Sequence, residues 1–221
     1  MHYFKIILLC FFMQTSIFGK MTTISCLSEV FDHTDTMAGT LILFDLQDTL
    51  VRSVFYKFDQ KTQDILSMHL QPLIGHVMQV KWLFIKPIET SAGAIIRTLE
   101  EQGALVAILT GNHHLEMSHI FYQLAVAGIV LPHFWDTVPK LYFKGSLSNA
   151  FADRGVISTG SNKKSEILFQ FLDRMQLKPE RIVFVDNSLA CLEDVASAAE
   201  QRQMPFVGLQ YIHPKYHHLD L

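Results

Sequence analysis

The sequence has little cysteine, no long apolar run and no excess of charge of one sign, and each shortage excludes a class of protein. Three cysteines in 221 residues are too few for a fold built on disulfides. With 18 basic and 21 acidic residues the formal net charge is only −3. Because basic and acidic residues are interspersed, no electrostatic case exists for a nucleic-acid partner.

The amino terminus has the layout of a secretory signal peptide. Lys5 precedes an apolar run over 6–13, and the polar and small residues of "QTSIFGK" follow it. The apolar run is far shorter than the ~20 residues that a membrane-spanning helix needs. We therefore expect a signal peptide over residues 1–19, cleavage before Lys20 and an exported protein without a membrane span after cleavage. A retained single anchor is the alternative.

The remaining chain alternates short apolar runs with amphipathic segments, which is typical of a parallel sheet covered by helices. The apolar runs predict strands over 40–44, 105–109, 182–185 and 206–209. Each is short and rich enough in β-branched residues to be a buried central strand. The sequence thus predicts an α/β protein with a three-layer, Rossmann-like, doubly wound and mainly parallel sheet.

Four helices are expected between and beside these strands. In "ETSAGAIIRTLEEQG", Thr90 is the predicted N-cap and Gly103 the stop. The segment "KSEILFQFLDRM" places its apolar residues on one helix face. A third helix is predicted from about 113 to 125, and a fourth near Asp194.

One domain with modest insertions accounts for this length and composition. We expect residues 20–39 to be an N-terminal extension and 40–221 to form the domain. An aromatic and mixed-polar segment over 52–86 interrupts the alternation of strands and helices after the first strand. It predicts a small insertion of helix and loop that could cover a site as a cap does. Trp82 and Phe84 in it could equally be ordinary core residues.

Polar residues follow each predicted strand, and in an open parallel sheet ligands collect at the carboxyl ends of the strands. Asp45 could be a nucleophile toward phosphorus, and Asp45 and Asp186 together could hold Mg²⁺ through hard oxygen ligands. Thr110 and a lysine would then bind phosphate. The residues that follow the first three predicted strands are Asp45, Gln47, Asp48, Thr49, Thr110, Asp186 and Asn187. Lys163 and Lys164 open the helix that precedes the predicted strand over 182–185.

This ordered set resembles the haloacid dehalogenase superfamily of phosphotransferases. Its first motif resembles "LILFDLQDTLV", its second "AILTGN" with Thr110, and its fourth "VFVDN" with Asp186. The third motif is similar to the lysine of "GSNKKSEIL", best aligned on Lys163 with Lys164 as the alternative. Over roughly 41–211 the chain more narrowly resembles an exported bacterial branch of the superfamily known only as a family of unknown function.

The resemblance implies a mechanism and a set of ligands. Asp45 would attack a small phosphorylated substrate to form an aspartyl-phosphate, while Thr110 and Lys163 bind the phosphoryl group. Mg²⁺ would be held by Asp45, Asp186 and the backbone carbonyl of Gln47. These roles are expectations that the superfamily supplies, and it does not supply the identity of the substrate.

The departures from the superfamily pattern bear on activity. Gln47 stands where the superfamily has the aspartate that acts as general acid and base, and an amide has no proton-transfer pKa near neutrality. Asp48 is the candidate to replace it, although its place on a tight loop would normally point it elsewhere. Asn187 stands where a second acid often follows, which should weaken Mg²⁺ binding.

Two hypotheses follow from these observations. The first is an exported phosphohydrolase or phosphotransferase that turns over weakly because of Gln47. The second is a catalytically degenerate member that keeps the fold as a binding or interaction module, with the aromatic insertion near Trp82 as its contact surface.

Overall fold

Strands and helices alternate along the chain in the computed structural model, which describes residues 19–34, 36–55, 58–74, 84–111 and 117–214. The strands are β1 (Lys20–Ile24), β2 (Thr40–Phe44), β3 (Val51–Ser53), β4 (Ile85–Pro87), β5 (Leu105–Thr110), β6 (Leu141–Lys144), β7 (Asn149–Asp153), β8 (Val156–Ser158), β9 (Arg181–Asp186) and β10 (Phe206–Tyr211). The α-helices are α1 (Gln60–Ile74), α2 (Ala92–Glu101), α3 (Met117–Val126), α4 (Lys164–Met175) and α5 (Leu189–Gln201). Two 3₁₀ helices cover Leu27–His33 and His133–Thr137.

The central sheet has the strand order β1-β10-β9-β2-β5-β8-β7-β6. All neighbours from β1 to β8 run parallel, and the last two pairings, β8 with β7 and β7 with β6, are antiparallel. The four predicted strands are β2, β5, β9 and β10, and they are consecutive in the sheet in the order β10-β9-β2-β5. The predicted α/β class with a mainly parallel sheet is confirmed.

Strand β2 shows why the fold has three layers. All five of its residues are buried, so the strand reads as a continuous apolar run rather than an alternating one. Ile42 and Phe44 belong to the core on one face of the sheet, and Leu41 and Leu43 belong to the core on the other face. Helix α2 contributes to the first core, and helices α4 and α5 contribute to the second.

The helix predictions agree with the observed bounds over the described residues, with one correction, and the predicted start of the third helix near 113 lies outside those residues. Helix α2 begins at Ala92 with Ser91 at the N-cap, so Thr90 is not the cap. The first hydrogen bond of the helix runs from the backbone N–H of Ile95 to the carbonyl of Ser91 at 2.9 Å, which makes Ser91 the N-cap. The helix stops where predicted, because Gly103 adopts φ +94°, a conformation that glycine accepts without steric cost.

Residues ahead of β2 take part in the sheet itself. Strand β1 pairs in parallel with β10, and Ile24, Leu27 and Val30 are buried in the core. The start of the segment 20–39, which was expected as an extension before the domain, therefore forms the edge strand of the main sheet over Lys20–Ile24. The sequence also did not predict the antiparallel strands β6 and β7 at the opposite edge.

The insertion after β2 contains a small antiparallel ribbon and one helix. Strand β3 pairs with β4, so the two ends of the insertion lie side by side. Helix α1 lies between these two strands in the sequence. Rings of Phe55, Phe58 and Phe84 contact one another with centroids 5.3–6.2 Å apart. Trp82 lies outside the described residues, and the division into domain and cap stays a prediction.

Candidate active site

Three predicted site residues meet at the carboxyl edge of the parallel sheet. Asp45 follows β2, Thr110 ends β5 and Asp186 ends β9. Strand β2 pairs with both of the other strands, and the backbone N–H of Asp45 donates to the carbonyl of Val185 at 2.9 Å. The parallel pairing thus brings distant parts of the chain to a single edge.

A single ammonium group joins the two acidic side chains. Lys164 Nζ lies 2.5 Å from Asp45 Oδ1 and 2.7 Å from Asp186 Oδ2. The side chains of all three residues are at most 9% exposed. Two carboxylates that are brought together out of water repel one another, and the ammonium between them offsets that repulsion.

The structure places Lys164 at this edge, where the alignment preferred Lys163, and this corrects the expected position of the lysine. The Lys163 side chain is 78% exposed, and its Nζ lies 3.7 Å from Asp194 Oδ1. Lys163 is the N-cap of α4 and Lys164 is its first residue. Successive residues of a helix point about 100° apart, so only one of two adjacent lysines can face the carboxylates.

Burial and two neighbouring charges shift the pKa of the Asp45 carboxyl group. The pKa of Asp45 is raised to about 6, because burial and the Asp186 carboxylate, which raise it, together outweigh the Lys164 ammonium, which lowers it. For Lys164, burial alone would lower the pKa, but the two carboxylates outweigh burial and raise it. The lysine therefore stays charged at neutral pH.

Gln47 is held in a chain of hydrogen bonds with two buried residues. The Thr110 hydroxyl donates to Gln47 Oε1 at 3.3 Å, and Gln47 Nε2 donates to Gln123 Oε1 at 3.2 Å. Gln123 lies on α3 and is fully buried, and sequence reasoning missed it. The available signal was a glutamine on the apolar face that carries Ile120 and Leu124.

Asp48, the candidate to replace a general acid at position 47, is oriented toward another residue. It adopts φ +58°, its side chain is 47% exposed and its Oδ1 lies 3.1 Å from Arg52 Nε. The structure thus pairs Asp48 with Arg52 instead of placing it in the chain of Gln47 and Gln123.

The loop before α4 is fixed by one asparagine. Asn162 is buried, and its Oδ1 accepts from the backbone N–H groups of Leu147 and Ser148 at 2.7 and 3.0 Å. Its Nδ2 donates to the carbonyls of Ser148 and Thr159 at 2.8 and 2.7 Å. These bonds tie the start of α4 to the turn between β6 and β7, which fixes the base from which Lys164 extends.

The residues at this edge have the chemistry that Mg²⁺ requires. Asp45 and Asp186 present carboxylate oxygens to one common cation, which here is the ammonium of Lys164. Mg²⁺ in enzymes is commonly bound by one or two carboxylates together with waters and substrate phosphate. Within the described ranges no group of three or more His, Cys, Asp or Glu side chains could hold a metal. Two carboxylates at one edge are a donor set that waters and substrate oxygens could complete around Mg²⁺.

A cavity of about 760 Å³ opens beside Lys164. Its walls are the loop before α4 and one face of α5, including Gly111, Thr159, Cys191, Asp194 and Ser197. The cavity provides room for a small organic molecule beside Lys164, and neither Asp45 nor Asp186 is among its lining residues.

Two proteins of known sequence resemble part of the chain. Each is named "Putative outer membrane protein": one from Chlamydia muridarum is 26% identical over 132 residues, and one from Chlamydia trachomatis is 24% identical over 133 residues. Each match covers 60% of this chain and 49% of the relative, so the chain spans about half the length of these relatives. Among the described residues of this chain, no helix is long and apolar enough to cross a membrane.

Solved structures with a similar fold share little sequence with this chain. The HAD domain of the effector protein Lem4 from Legionella pneumophila gives a TM-score of 0.44 at 11% identity, over 80% of this chain and 87% of that one. A haloacid dehalogenase-like hydrolase from Streptococcus pneumoniae gives a TM-score of 0.41 at 14% identity, over 76% of this chain and 93% of that one.

A family model described as "Protein of unknown function (DUF2608)" matches residues 21–220, which is nearly the whole chain. The expectation of a family of unknown function is confirmed, and this protein belongs to the DUF2608 family.

Proposed function

We propose that this protein is a Mg²⁺-dependent phosphotransferase or phosphohydrolase of the haloacid dehalogenase type that acts on a small phosphorylated molecule. The observation that carries the proposal is the position of Lys164 Nζ, 2.5 Å from Asp45 and 2.7 Å from Asp186, at the edge where Thr110 also lies. An ammonium in this position can bind phosphoryl oxygens while two carboxylates face the same space.

The residues divide the chemistry between them. The Asp45 carboxylate attacks phosphorus, and an oxygen–phosphorus bond to Asp45 forms as the bond to the leaving group breaks. Lys164 and the Thr110 hydroxyl hold phosphoryl oxygens and stabilise the negative charge that these oxygens carry. Bound Mg²⁺, held by Asp45, Asp186 and the backbone carbonyl of Gln47, would screen the repulsion between the attacking carboxylate and the phosphoryl group.

An aryl phosphate tests this proposal, because its leaving group needs little protonation. With Mg²⁺ present, we expect release of the aryl alcohol that disappears in Asp45→Asn and after chelation of the metal. Lys163→Met is the matched control for Lys164→Met, because the two residues are adjacent but only Lys164 contacts the carboxylates. Release that is the same in the natural protein and in Asp45→Asn would refute the proposal.

The second candidate function is a binding module that has lost catalysis. Gln47 is a neutral amide bonded to Thr110 and Gln123, and Asp48 is paired with Arg52, which favours loss of the acid and base steps. A pure binding module would release no aryl alcohol with or without Mg²⁺. Release that is lost in Asp45→Asn would favour the enzyme, whereas a Mg²⁺-dependent change in melting temperature would show metal binding alone.

Export is part of the proposal. It is supported by the apolar run behind Lys5, and the relatives from Chlamydia carry a name that assigns them to the outer membrane. We expect the full chain to be cut before Lys20 when it is expressed in a Gram-negative host. Amino-terminal sequencing of the protein from the periplasmic fraction checks this, and an uncut chain in the cytoplasmic fraction would contradict it.

A further inference from the structure

Helix α4 begins with two lysines, which is an unfavourable start for an α-helix. The N–H groups of a first turn carry a partial positive charge, so cationic side chains are disfavoured there. A lysine also has no acceptor with which to cap these N–H groups, and the N-cap residue Lys163 forms no side-chain capping hydrogen bond within the described part of the chain. The groups that hold this turn in place therefore come from other parts of the fold.

An acidic residue of the next helix supplies one of these groups. Asp194 Oδ2, on α5, accepts a hydrogen bond from the backbone N–H of Ser165 at 3.0 Å. Asp194 Oδ1 lies 3.7 Å from Lys163 Nζ. One carboxylate thus contacts the residues on both sides of Lys164 in the sequence, and it brings a negative charge to the helix end where such a charge is stabilising.

Lys164 lies between these two contacts in the sequence, but its side chain points elsewhere. Its Nζ contacts Asp45 and Asp186, and its side chain is 9% exposed, whereas that of Lys163 is 78% exposed. Successive residues of a helix are rotated by about 100°, so a first turn that directs Lys163 toward α5 directs Lys164 to a different side. The contacts with Asp194 therefore favour the rotation of α4 in which Lys164 reaches the carboxylates.

Asp194 also belongs to the same unit of structure as one of those carboxylates. Asp186 Oδ1 accepts from the backbone N–H of Ser188 at 2.8 Å, and Ser188 is the N-cap of α5. The Ser188 hydroxyl in turn accepts from the backbone N–H of Cys191 at 3.4 Å, and Asp194 lies about one turn further along α5. The start of α5 thus carries a carboxylate that Lys164 contacts and the carboxylate that holds the turn bearing Lys164.

The other side of the turn is held by the hairpin between β6 and β7. Glu166 accepts from the backbone N–H and from the hydroxyl of Ser146, both at 2.7 Å. Together with the bonds of Asn162, these contacts anchor the turn to the far edge of the sheet. The bond to Asp194 anchors it to α5, so the first turn of α4 is held from two directions.

We propose that Asp194 is the positioning residue that selects Lys164, and not Lys163, as the lysine of the active site. Asp194 acts on the reaction through the backbone of Ser165, which it holds in place. The effect on turnover rests on the proposed function, because it requires Lys164 to bind the phosphoryl group. The effect on the position of Lys164 does not.

Acetylation of the full chain with acetic anhydride tests this position without any need for activity. We expect Lys163 to react rapidly and Lys164 slowly in the natural protein, because the reaction requires an accessible, uncharged amine and Lys164 is buried between two carboxylates. A hydrogen bond to a charged acceptor corresponds to about 10- to 100-fold in an equilibrium constant. Asp194→Ala should therefore acetylate at Lys164 faster by about this factor, measured by peptide mass spectrometry.

Two further variants serve as controls for Asp194→Ala. Asp194→Asn keeps an oxygen that can accept from the N–H of Ser165, so it should protect Lys164 far better than Asp194→Ala does. Glu193→Ala removes an exposed acidic side chain at the adjacent position of α5 and should leave the rate unchanged. The faster rate in Asp194→Ala should also be insensitive to low urea concentrations, because only global unfolding exposes enough surface to depend strongly on urea.

Turnover of an aryl phosphate with Mg²⁺ measures the consequence for the reaction. A displacement of about 1 Å at a binding group can cost on the order of 10²-fold in rate. We expect kcat/KM to fall about 10- to 100-fold in Asp194→Ala, and Asp194→Asn to retain most of the natural value. If the melting curve shows that Asp194→Ala is unfolded, Asp194→Ser takes its place with the same expectations, because its side chain is too short to reach the same N–H group.

The outcomes separate this inference from the proposed function. An unchanged acetylation rate of Lys164 in Asp194→Ala, or an equal rise in Glu193→Ala, would overturn the inference and, where the aryl phosphate is still turned over, leave the proposed function intact. Faster acetylation of Lys164 in Asp194→Ala with no turnover by the natural protein would refute the proposed function and support the placement of Lys164 by Asp194.

Discussion

The hydroxyl of Thr49 accepts a hydrogen bond from the backbone N–H of Asn187 at 3.1 Å, across 138 positions of the chain. The Thr49 side chain is fully buried. The bond links the loop that follows Asp45 to the loop that follows Asp186. It therefore holds together the two loops whose acidic residues share Lys164.

Replacing this hydroxyl should loosen the link without changing the volume of the side chain. Thr49→Val leaves the N–H of Asn187 without its acceptor, and because Asn187 is exposed the loss is that of an ordinary hydrogen bond, about 0.5–1.5 kcal/mol of the free energy of unfolding. We expect a matching drop in urea-unfolding stability and weaker Mg²⁺-dependent stabilisation, because Asp186 is less well fixed. Thr49→Ser keeps the hydroxyl and should retain most of both, and equal losses in the two variants would contradict this role for the bond.

The two adjacent lysines should differ sharply in their effect on stability. Lys164→Met leaves two buried carboxylates without their shared cation, and breaking a buried ion pair on one side costs about 3–5 kcal/mol. Lys163→Met should change the free energy of unfolding by no more than about 0.5 kcal/mol, because that side chain is 78% exposed. Chemical denaturation of both variants measures the difference.

The response to Mg²⁺ is a second test of the Lys164→Met variant. If Asp45 and Asp186 can hold a divalent ion, added Mg²⁺ should raise the melting temperature of Lys164→Met more than that of the natural protein, since it replaces the missing positive charge. An identical response of the two proteins would argue against these carboxylates as the metal ligands.

The sequence was sufficient to locate the edge of the site. Asp45, Thr110 and Asp186 each end a buried apolar run. Parallel strands bring such ends to one edge of a sheet regardless of the structure of the segments between them. The same logic gave the four central strands. These features depend on local patterns of burial, which a single sequence records directly.

The remaining features depend on contacts between distant segments. Which of Lys163 and Lys164 faces the carboxylates is set by the rotation of α4 against the sheet, and the local sequence is nearly the same for both. Gln123 lies 76 positions from Gln47, and the sequence around either residue does not indicate that the two are in contact. Strands β1, β6 and β7 are short and partly exposed, so their apolar signal is weak.

A glycine in α2 permits the close approach of a neighbouring segment. A Cβ added at Gly93 would lie 2.1 Å from the backbone carbonyl oxygen of Gly128, which follows α3. Alanine is favoured over glycine inside a helix by about 1 kcal/mol, but relief of such a clash requires the backbone to move, at about 1–3 kcal/mol or more. We expect Gly93→Ala to destabilise the protein, measured by urea unfolding.

Gly111→Ala is the control for that substitution. Among the described residues, its added Cβ would meet only the carbonyl oxygen of Gly160 at 3.7 Å, an ordinary van der Waals contact. The free energy of unfolding of this variant should stay close to that of the natural protein. A stable Gly93→Ala variant would show that α2 can shift away from Gly128 at little cost.

A buried histidine should make the protein sensitive to acid. His119 on α3 is 3% exposed, and neither ring nitrogen has a hydrogen-bond partner among the described residues. Burial lowers the pKa of His119 from 6.5 to about 4, so the folded protein keeps the ring neutral where the unfolded chain binds a proton. Its contribution to stability is fully present above about pH 6.5 and is lost as the pH falls toward 4.

The variant His119→Leu removes this proton uptake and also the cost of burying two unpaired ring nitrogens. We expect it to unfold at higher urea concentration than the natural protein at a pH of about 5, with a smaller difference at about 7.5. The pH-dependent part should be on the order of 2 kcal/mol. His133→Leu, at a side chain that is 98% exposed, is the control. The natural protein and His119→Leu could instead lose the same free energy of unfolding between the two pH values. The acid sensitivity would then arise at another group, because only a residue that titrates in this range changes how the free energy of unfolding depends on pH.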